Sequence, residues 1–407
     1  MYEVSTPEAI VLDRARKDPR AAARIERMLA AVQADQVVET DDAGLADLME
    51  RRGWLGERLR TGQHRMARQP ALIFNAFRWP DEAERDALIA HYPGLARHLL
   101  LGLGAWSLRD AARFRREKGC VCQTAWEIHC AYGCLHACDY CHIPPYFNIM
   151  ANLEQLAERV RGFGEAIPDQ ALYKFDNYTD TITLEPEYGA SEVMVNAFAD
   201  WEGRYLLLYT KSDNVDHLLG LDHGGHTLIS WSLGSDTVAE KIEKRTPSPD
   251  ARIAAMEKCE KAGYPVRVRI SPICPVKGWR EEYASVIERL LARVSPEVVS
   301  VDVVGWMSAA AMEDALDVSL FDEEYAREVA RLKAENFRPN GKHLFPHRMR
   351  ADILRFAIEK VRAVRPGQRV SLCMETEAMW RELGPLTGMS PERYACCCGP
   401  DSVPGQW

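Results

Sequence analysis

The sequence predicts an α/β fold: a partial (β/α)6 barrel with an N-terminal helical region and a Cys-rich C-terminal tail. Three observations lead there. From about Cys120 onward, short apolar runs alternate with helical stretches, the pattern of parallel βαβ units. Before Arg115, apolar residues instead recur every three or four positions, and β-branched runs are scarce. After Arg362, one further strand leads into a loop-rich segment with three consecutive cysteines.

Residues 1–115 read as a helical accessory region, on the periodicity of Ala23–Val32 (ARIERMLAAV) and Leu45–Leu59 (LADLMERRGWLGERL). Residues 116–345 form the β/α core. Its expected strands are Thr124–His129, Ala171–Phe175, Arg204–Thr210, Thr227–Ser232, Val266–Ile270 and Val298–Val304. Helices are expected between them at Leu153–Gly162, Ser191–Trp201, Asn214–Leu219, Thr237–Lys244, Asp250–Ala262 and Trp279–Ala292. An open doubly wound sheet satisfies the same periodicity. In either arrangement, catalytic groups gather where strands end and loops begin. Residues 346–407 contribute helix Arg350–Arg362, strand Arg369–Cys373 and the tail.

The 407 residues are 47% hydrophobic and 27% charged, an ordinary globular balance. A net charge of −9 argues against a general nucleic-acid binder, whose footprint is usually basic. Met1–Arg20 shows no apolar core followed by a small-residue cleavage site. No stretch reaches the roughly 18 to 20 apolar residues of a membrane span. The expectation is a cytoplasmic protein with no membrane partner. In a reducing compartment, twelve cysteines read as metal ligands or reactive thiols rather than disulfides.

Cys134, Cys138 and Cys141 give C-x3-C-x2-C between the first core strand and a helix. Closely spaced thiolates let one loop hold several irons, and three cysteines leave one iron of a four-iron cluster open. Zinc is the competing occupant, with His136 or His142 as a fourth ligand.

The motif, with Tyr140 before its last cysteine and a β/α series after it, resembles the radical S-adenosylmethionine (SAM) superfamily. Leu208–Asp236 and Ala262–Tyr283 are similar to the spore photoproduct lyase branch: strand, Thr-Lys, short helix, strand ending near Ser, then strand, Pro and Gly-Trp. The resemblance implies a [4Fe–4S] cluster on Cys134, Cys138 and Cys141, SAM as cofactor, and an electron donor such as flavodoxin or ferredoxin. It also implies SAM contacts from Lys211, Ser232 and Asp180, with Tyr140 packed against the cluster or adenine. The family's hydrogen-donating cysteine is missing from Phe175–Asp180, the tyrosine after its last cluster cysteine is His142, and its asparagine after Ser232 is Gly234. Cys373 and Tyr178 are the candidate catalytic residues.

These departures, with the acidic balance, rank a small-molecule substrate ahead of nucleic acid. The alternatives are nucleic-acid lesion repair or modification, transfer of the 3-amino-3-carboxypropyl group of SAM to a thiol-bound acceptor such as trivalent arsenic, and a zinc-binding non-enzymatic protein. Cys396, Cys397 and Cys398 form a candidate second thiol site for a metal or metalloid. Cys120, Cys122 and Cys130 are available to join it. The tail is expected to fold over the barrel mouth, on the face of the cluster loop.

Overall fold

The computed structural model describes residues 1–54, 69–95, 97–101, 105–339 and 342–405. Its main sheet has eight strands, β1 (Trp106–Arg109), β2 (Ala125–Ile128), β3 (Leu172–Phe175), β4 (Tyr205–Thr210), β5 (Thr227–Ser232), β6 (Val266–Ile273), β7 (Val299–Val303) and β8 (Val370–Leu372), neighbours in space in that same order. All pairs are parallel except β1 with β2. The seven parallel strands are the seven expected ones. Such strands are buried on both faces, and LLL in β4 reads as an apolar run; β6 instead alternates Val with Arg, and its Arg267 is fully buried. The antiparallel edge strand β1 (WSLR) has no such run and was missed.

Residues 1–115 were expected to be helical. Helices Pro19–Ala31 and Asp42–Arg51 are present; the second ends in a turn at residues 52–54 instead of running on, and the rest of the stretch expected to Leu59 lies outside the described residues. The region also builds a sheet. Val37–Thr40, Ala9–Leu12, Ala71–Asn75 and Tyr146–Met150 run parallel in that order, and Ala131–Tyr132 completes it antiparallel. AIVL and ALIFN are fully buried runs of four and five residues, too short for periodicity to separate from helix. The two regions also interleave. β1 comes from the first 115 residues, and the second sheet takes two strands from the core. Thr237–Lys244 is a correction too: the helical turn stops at Ile242, and Glu243–Lys244 is extended.

Side chains from β1 through the β8 end, among them Arg109, Glu127, Lys174, Tyr209, Ser232, Arg269, Asp302 and Cys373, line one cleft of about 860 Å³. The sheet therefore curves around it. Helices such as Trp279–Arg293 and His347–Val364 pack against the sheet's other face through buried apolar stripes. Among the described residues, no helix is long and apolar enough to cross a membrane.

The tail corrects another expectation. It enters where strands begin, opposite the cluster loop. The Pro400 carbonyl accepts from Ala171 N (3.2 Å) and Leu172 N (2.7 Å) at the start of β3. Arg267, near the start of β6, donates to the carbonyls of Cys397 (3.2 Å) and Ser402. Val403 packs with Leu172, Leu207 and Leu228. Chain length allowed either end of the sheet. The buried Arg267 guanidinium, which needs carbonyl acceptors, holds the tail at this one.

Beyond β8, Glu375 clamps the other flank. Its carbonyl accepts from Val121 N (2.8 Å), and its buried carboxylate meets Arg350 (3.1 Å) and His343 (3.3 Å). Burial alone would raise this carboxyl, but His343, Arg350 and Lys342 hold it at about 2. A carboxyl lowered in the folded state adds stability that is complete above its unfolded value near 4.3 and is lost as pH falls toward 2. Glu375→Gln should therefore flatten the loss of stability between pH 5 and pH 2, by about 3 kcal/mol. Urea unfolding of both proteins across that range tests it; parallel curves would remove Glu375 from the acid response.

Candidate active site

The three motif cysteines sit on a loop fastened at three places. Ala131–Tyr132 and Tyr146–Met150 pair with each other as its two ends. Between them, Ala137–Cys138 pairs with Glu243–Lys244. Gly133, at φ 129°, allows the first crossing: a Cβ there would lie 2.6 Å from the Phe147 Cα. Cys134, Cys138 and Cys141 thus share the wall of a pocket of about 120 Å³ with Tyr140, Tyr178, Asp180, Lys211 and Ser232. Burial pushes the Cys134 thiol up to about 12 and raises Cys138 as well. A metal bound here would have to displace those protons.

The expected cofactor contacts come together, in different circumstances. Asp180 is already engaged: it accepts from Thr210 Oγ1 (2.7 Å) and Lys211 N (2.6 Å), with His136 Nε2 at 3.2 Å. Burial would raise its carboxyl, but His136, Lys211 N–H and Thr210 outweigh that and hold it low. It works as a clamp between the β3 loop and the end of β4. Lys211 Nζ lies 3.9 Å from Glu243 and 5.8 Å from the Tyr140 ring centre. Ser232 is 3% exposed and faces both pocket and cleft. Tyr178 stacks face to face on His129, with ring centres 3.9 Å apart.

Sequence reasoning missed Glu243. It is fully buried, ion-paired with Arg252 (2.8 Å) and hydrogen-bonded by the Tyr140 hydroxyl. Burial would raise it, but Arg252 and Lys211 keep its carboxyl low. In the sequence it sits in AEKIEKR, which reads as a solvated helix face, so no local signal marked it.

Tyr140, Asn177, Tyr178, Tyr209, Lys211 and Ser232 line both pocket and cleft, so the two are continuous. The cleft lining carries five basic side chains, Arg109, Lys174, Lys211, Arg269 and Lys342, against the carboxylates Glu127 and Asp302. Arg109 and Lys174 meet Glu127 at 2.9 and 3.5 Å; Lys342 pairs with Asp302, and Arg269 stands 3.9 Å from it. Cys373 faces the same space, its sulfur 3.5 Å from Arg269. The tail cysteines divide. Cys398 reaches the cleft with Arg109 at 3.4 Å, Cys396 hydrogen-bonds to Cys398, and Cys397 turns away to the Val268 carbonyl (3.2 Å). Cys122 joins them; Cys120 and Cys130 are buried elsewhere. Among the described residues, no three His, Cys, Asp or Glu side chains are gathered as a single metal ion requires, so a second metal site is not shown.

A family model for spore photoproduct lyase matches residues 104–305, the stretch from β1 through β7 with the cluster loop. The chain is spore photoproduct lyase-like. Its resemblance to that radical SAM branch also appears in individual relatives. The spore photoproduct lyase of Bacillus subtilis is 28% identical over 180 residues, 42% of this chain and 53% of that protein. Its counterpart from a Geobacillus species is 27% identical over 218 residues, 52% of this chain and 60% of the other. The lyase-like chain thus spans little more than half the length of these relatives. Among solved structures, a spore photoproduct lyase point mutant superposes with a TM-score of 0.63 at 17% identity, covering 90% of this chain and 98% of the other. A mutant with bound AdoMet and dinucleoside spore photoproduct gives 0.54 at 15% identity, over 90% and 98%.

The tail pair has a checkable chemistry. Cys396 keeps its proton and directs it at Cys398; that bond, with Arg109 and Lys174, takes the Cys398 thiol well below its ordinary value. Iodoacetamide at pH 6.5 should alkylate Cys398 faster than Cys396 or Cys397, and Arg109→Gln should narrow a preference that the Cys396 hydrogen bond mainly sets. Peptide mass spectrometry reads the order; equal rates in the parent protein would contradict it.

Proposed function

We propose that this chain is a radical SAM enzyme of the lyase type acting on a nucleic-acid lesion of dinucleotide size. The observation that carries the reading is the continuity of the cysteine pocket with a basic cleft of about 860 Å³. The donor set suits the cofactors: three sulfurs on one loop for a [4Fe–4S] cluster, with Lys211, Ser232 and Tyr140 facing the same space. When bound, cluster and SAM supply a 5′-deoxyadenosyl radical for hydrogen-atom abstraction. The protein's own residues orient and shield. Lys211 meets the methionine carboxylate as a charge-assisted donor, held forward by Glu243. Ser232 offers a hydroxyl at the junction with the cleft. Tyr178 and Cys373 stand on the cleft wall as hydrogen-atom donors. An electron donor of the flavodoxin or ferredoxin type completes the system.

The substrate reading reverses the preference drawn from net charge. The −9 total sums the whole chain, whereas the cleft has three more basic than acidic side chains. That imbalance favours a phosphodiester-bearing substrate over a neutral metabolite. The lyase structure with dinucleoside spore photoproduct bound supports the same class.

Two outcomes follow. Replacing Cys134, Cys138 and Cys141 by Ala should abolish iron binding at this loop and formation of 5′-deoxyadenosine under dithionite; continued SAM cleavage would refute the cluster assignment. Lys211→Ala should weaken SAM binding about ten- to a hundredfold, the roughly 1.5–3 kcal/mol of one charge-assisted contact, with iron content unchanged, as read by calorimetry on reconstituted protein. The substrate is tested anaerobically with dinucleotide spore photoproduct. 5′-Deoxyadenosine with intact photoproduct would sink the lesion reading while leaving the radical chemistry standing.

A further inference from the structure

The strands carry a second constellation beside the cofactor pocket. β1 pairs with β2 so that Ser107 faces Glu127, and β3 pairs with β2 so that Lys174 faces the same residue. One step up, His129 and Asp176 follow the ends of β2 and β3 as the next inward-pointing positions. His129 Nε2 lies 2.8 Å from Ser107 Oγ, and His129 Nδ1 lies 2.6 Å from Asp176 Oδ1. Asp176 also accepts from Tyr178 N and Cys130 N, both at 2.8 Å. A carboxylate surrounded by N–H donors acts as acceptor, so His129 Nδ1 carries the ring proton. Nε2 is then the basic nitrogen and accepts from the serine hydroxyl. The Tyr178 ring lies against the imidazole at 9° and fixes its plane. His129 and Asp176 are fully buried, while Ser107 is partly exposed and lines the cleft.

We propose that Ser107, His129 and Asp176 form a nucleophile–base–carboxylate triad that gives this protein a hydrolytic activity toward carboxylic esters, with anionic esters suited to the basic cleft. The order of contacts, nucleophile to base to orienting carboxylate, is the one that defines such triads independently of fold. Ser107 Oγ bonds to the acyl carbon as its proton moves to His129 Nε2. That proton passes to the leaving alcohol oxygen as the ester C–O bond breaks. Water, deprotonated by the same nitrogen, then releases the carboxylic acid and restores the serine. Lys174 and Asn177 line the same cleft as Ser107. Ser107 and His129 are the catalytic residues, and Asp176 is a positioning residue. None of this rests on the radical reading.

The test uses anaerobically purified, cluster-loaded protein and a dialkyl fluorophosphate. The expected result is one phosphoryl adduct per chain, mapped by mass spectrometry to Ser107 and absent from Ser107→Ala. In His129→Gln labelling should slow by roughly a thousandfold or more, while iodoacetamide still reaches Cys373 on the same cleft. Hydrolysis of para-nitrophenyl acetate should follow the same pattern, with 5′-deoxyadenosine formation retained in Ser107→Ala. No adduct at Ser107 in the parent protein overturns the proposal without need of any variant. Labelling that proceeds undiminished in His129→Gln overturns it as well, since Ser107 would then react without a base.

Discussion

The cluster loop is a shared part of two sheets, and the rest of the site depends on that. It leaves β2, gives two strands to the accessory sheet, and on the way lays Ala137–Cys138 against Glu243–Lys244. A free loop of this length would lose its three sulfurs to conformational entropy. Here backbone pairing meets that cost before any ligand arrives. The accessory region is therefore the support on which the sulfurs stand, and Gly133 is the point where loop and support approach too closely for any side chain.

Glu243 extends the same constraint into charge. A buried carboxylate needs compensation, and it draws Arg252, Lys211 and Tyr140 from three separate segments. The lysine facing the pocket and the aromatic residue of the motif are thus placed by one buried anion. Below them, the strands repeat the device with Glu127 between Arg109 and Lys174, and Asp302 between Lys342 and Arg269. The cleft interior is layered charge, carried by residues of neighbouring strands with Lys342 reaching in from a loop.

What could be read from sequence follows from these physics. The seven parallel strands were legible because short runs rich in apolar and β-branched residues alternate with helical stretches. The cysteine motif was legible because its ligands are local. Edge strand β1 and the short strands at Ala9–Leu12 and Ala71–Asn75 were not, since four or five residues in an arginine-rich context carry no distinct period. Glu243, His129 and Asp176 were invisible for a different reason: each acquires its role from a residue far away in the chain. The acidic total says little about the cleft, because charge there is set by pairing and not by composition.

The tail has one more consequence. The side of the cleft that joins the cysteine pocket is assembled from many strands and loops, each tied to the others. The opposite side receives Cys396, Cys397 and Cys398 from a single segment near residues 394–405, held mainly through backbone carbonyls at Cys397, Pro400 and Ser402. Carbonyl acceptors are indifferent to side-chain identity. Substitutions among Cys396, Cys397 and Cys398 can therefore drift without unseating the segment. Such a division leaves the thiols free to change while the strands and loops around the cysteine pocket stay as they are.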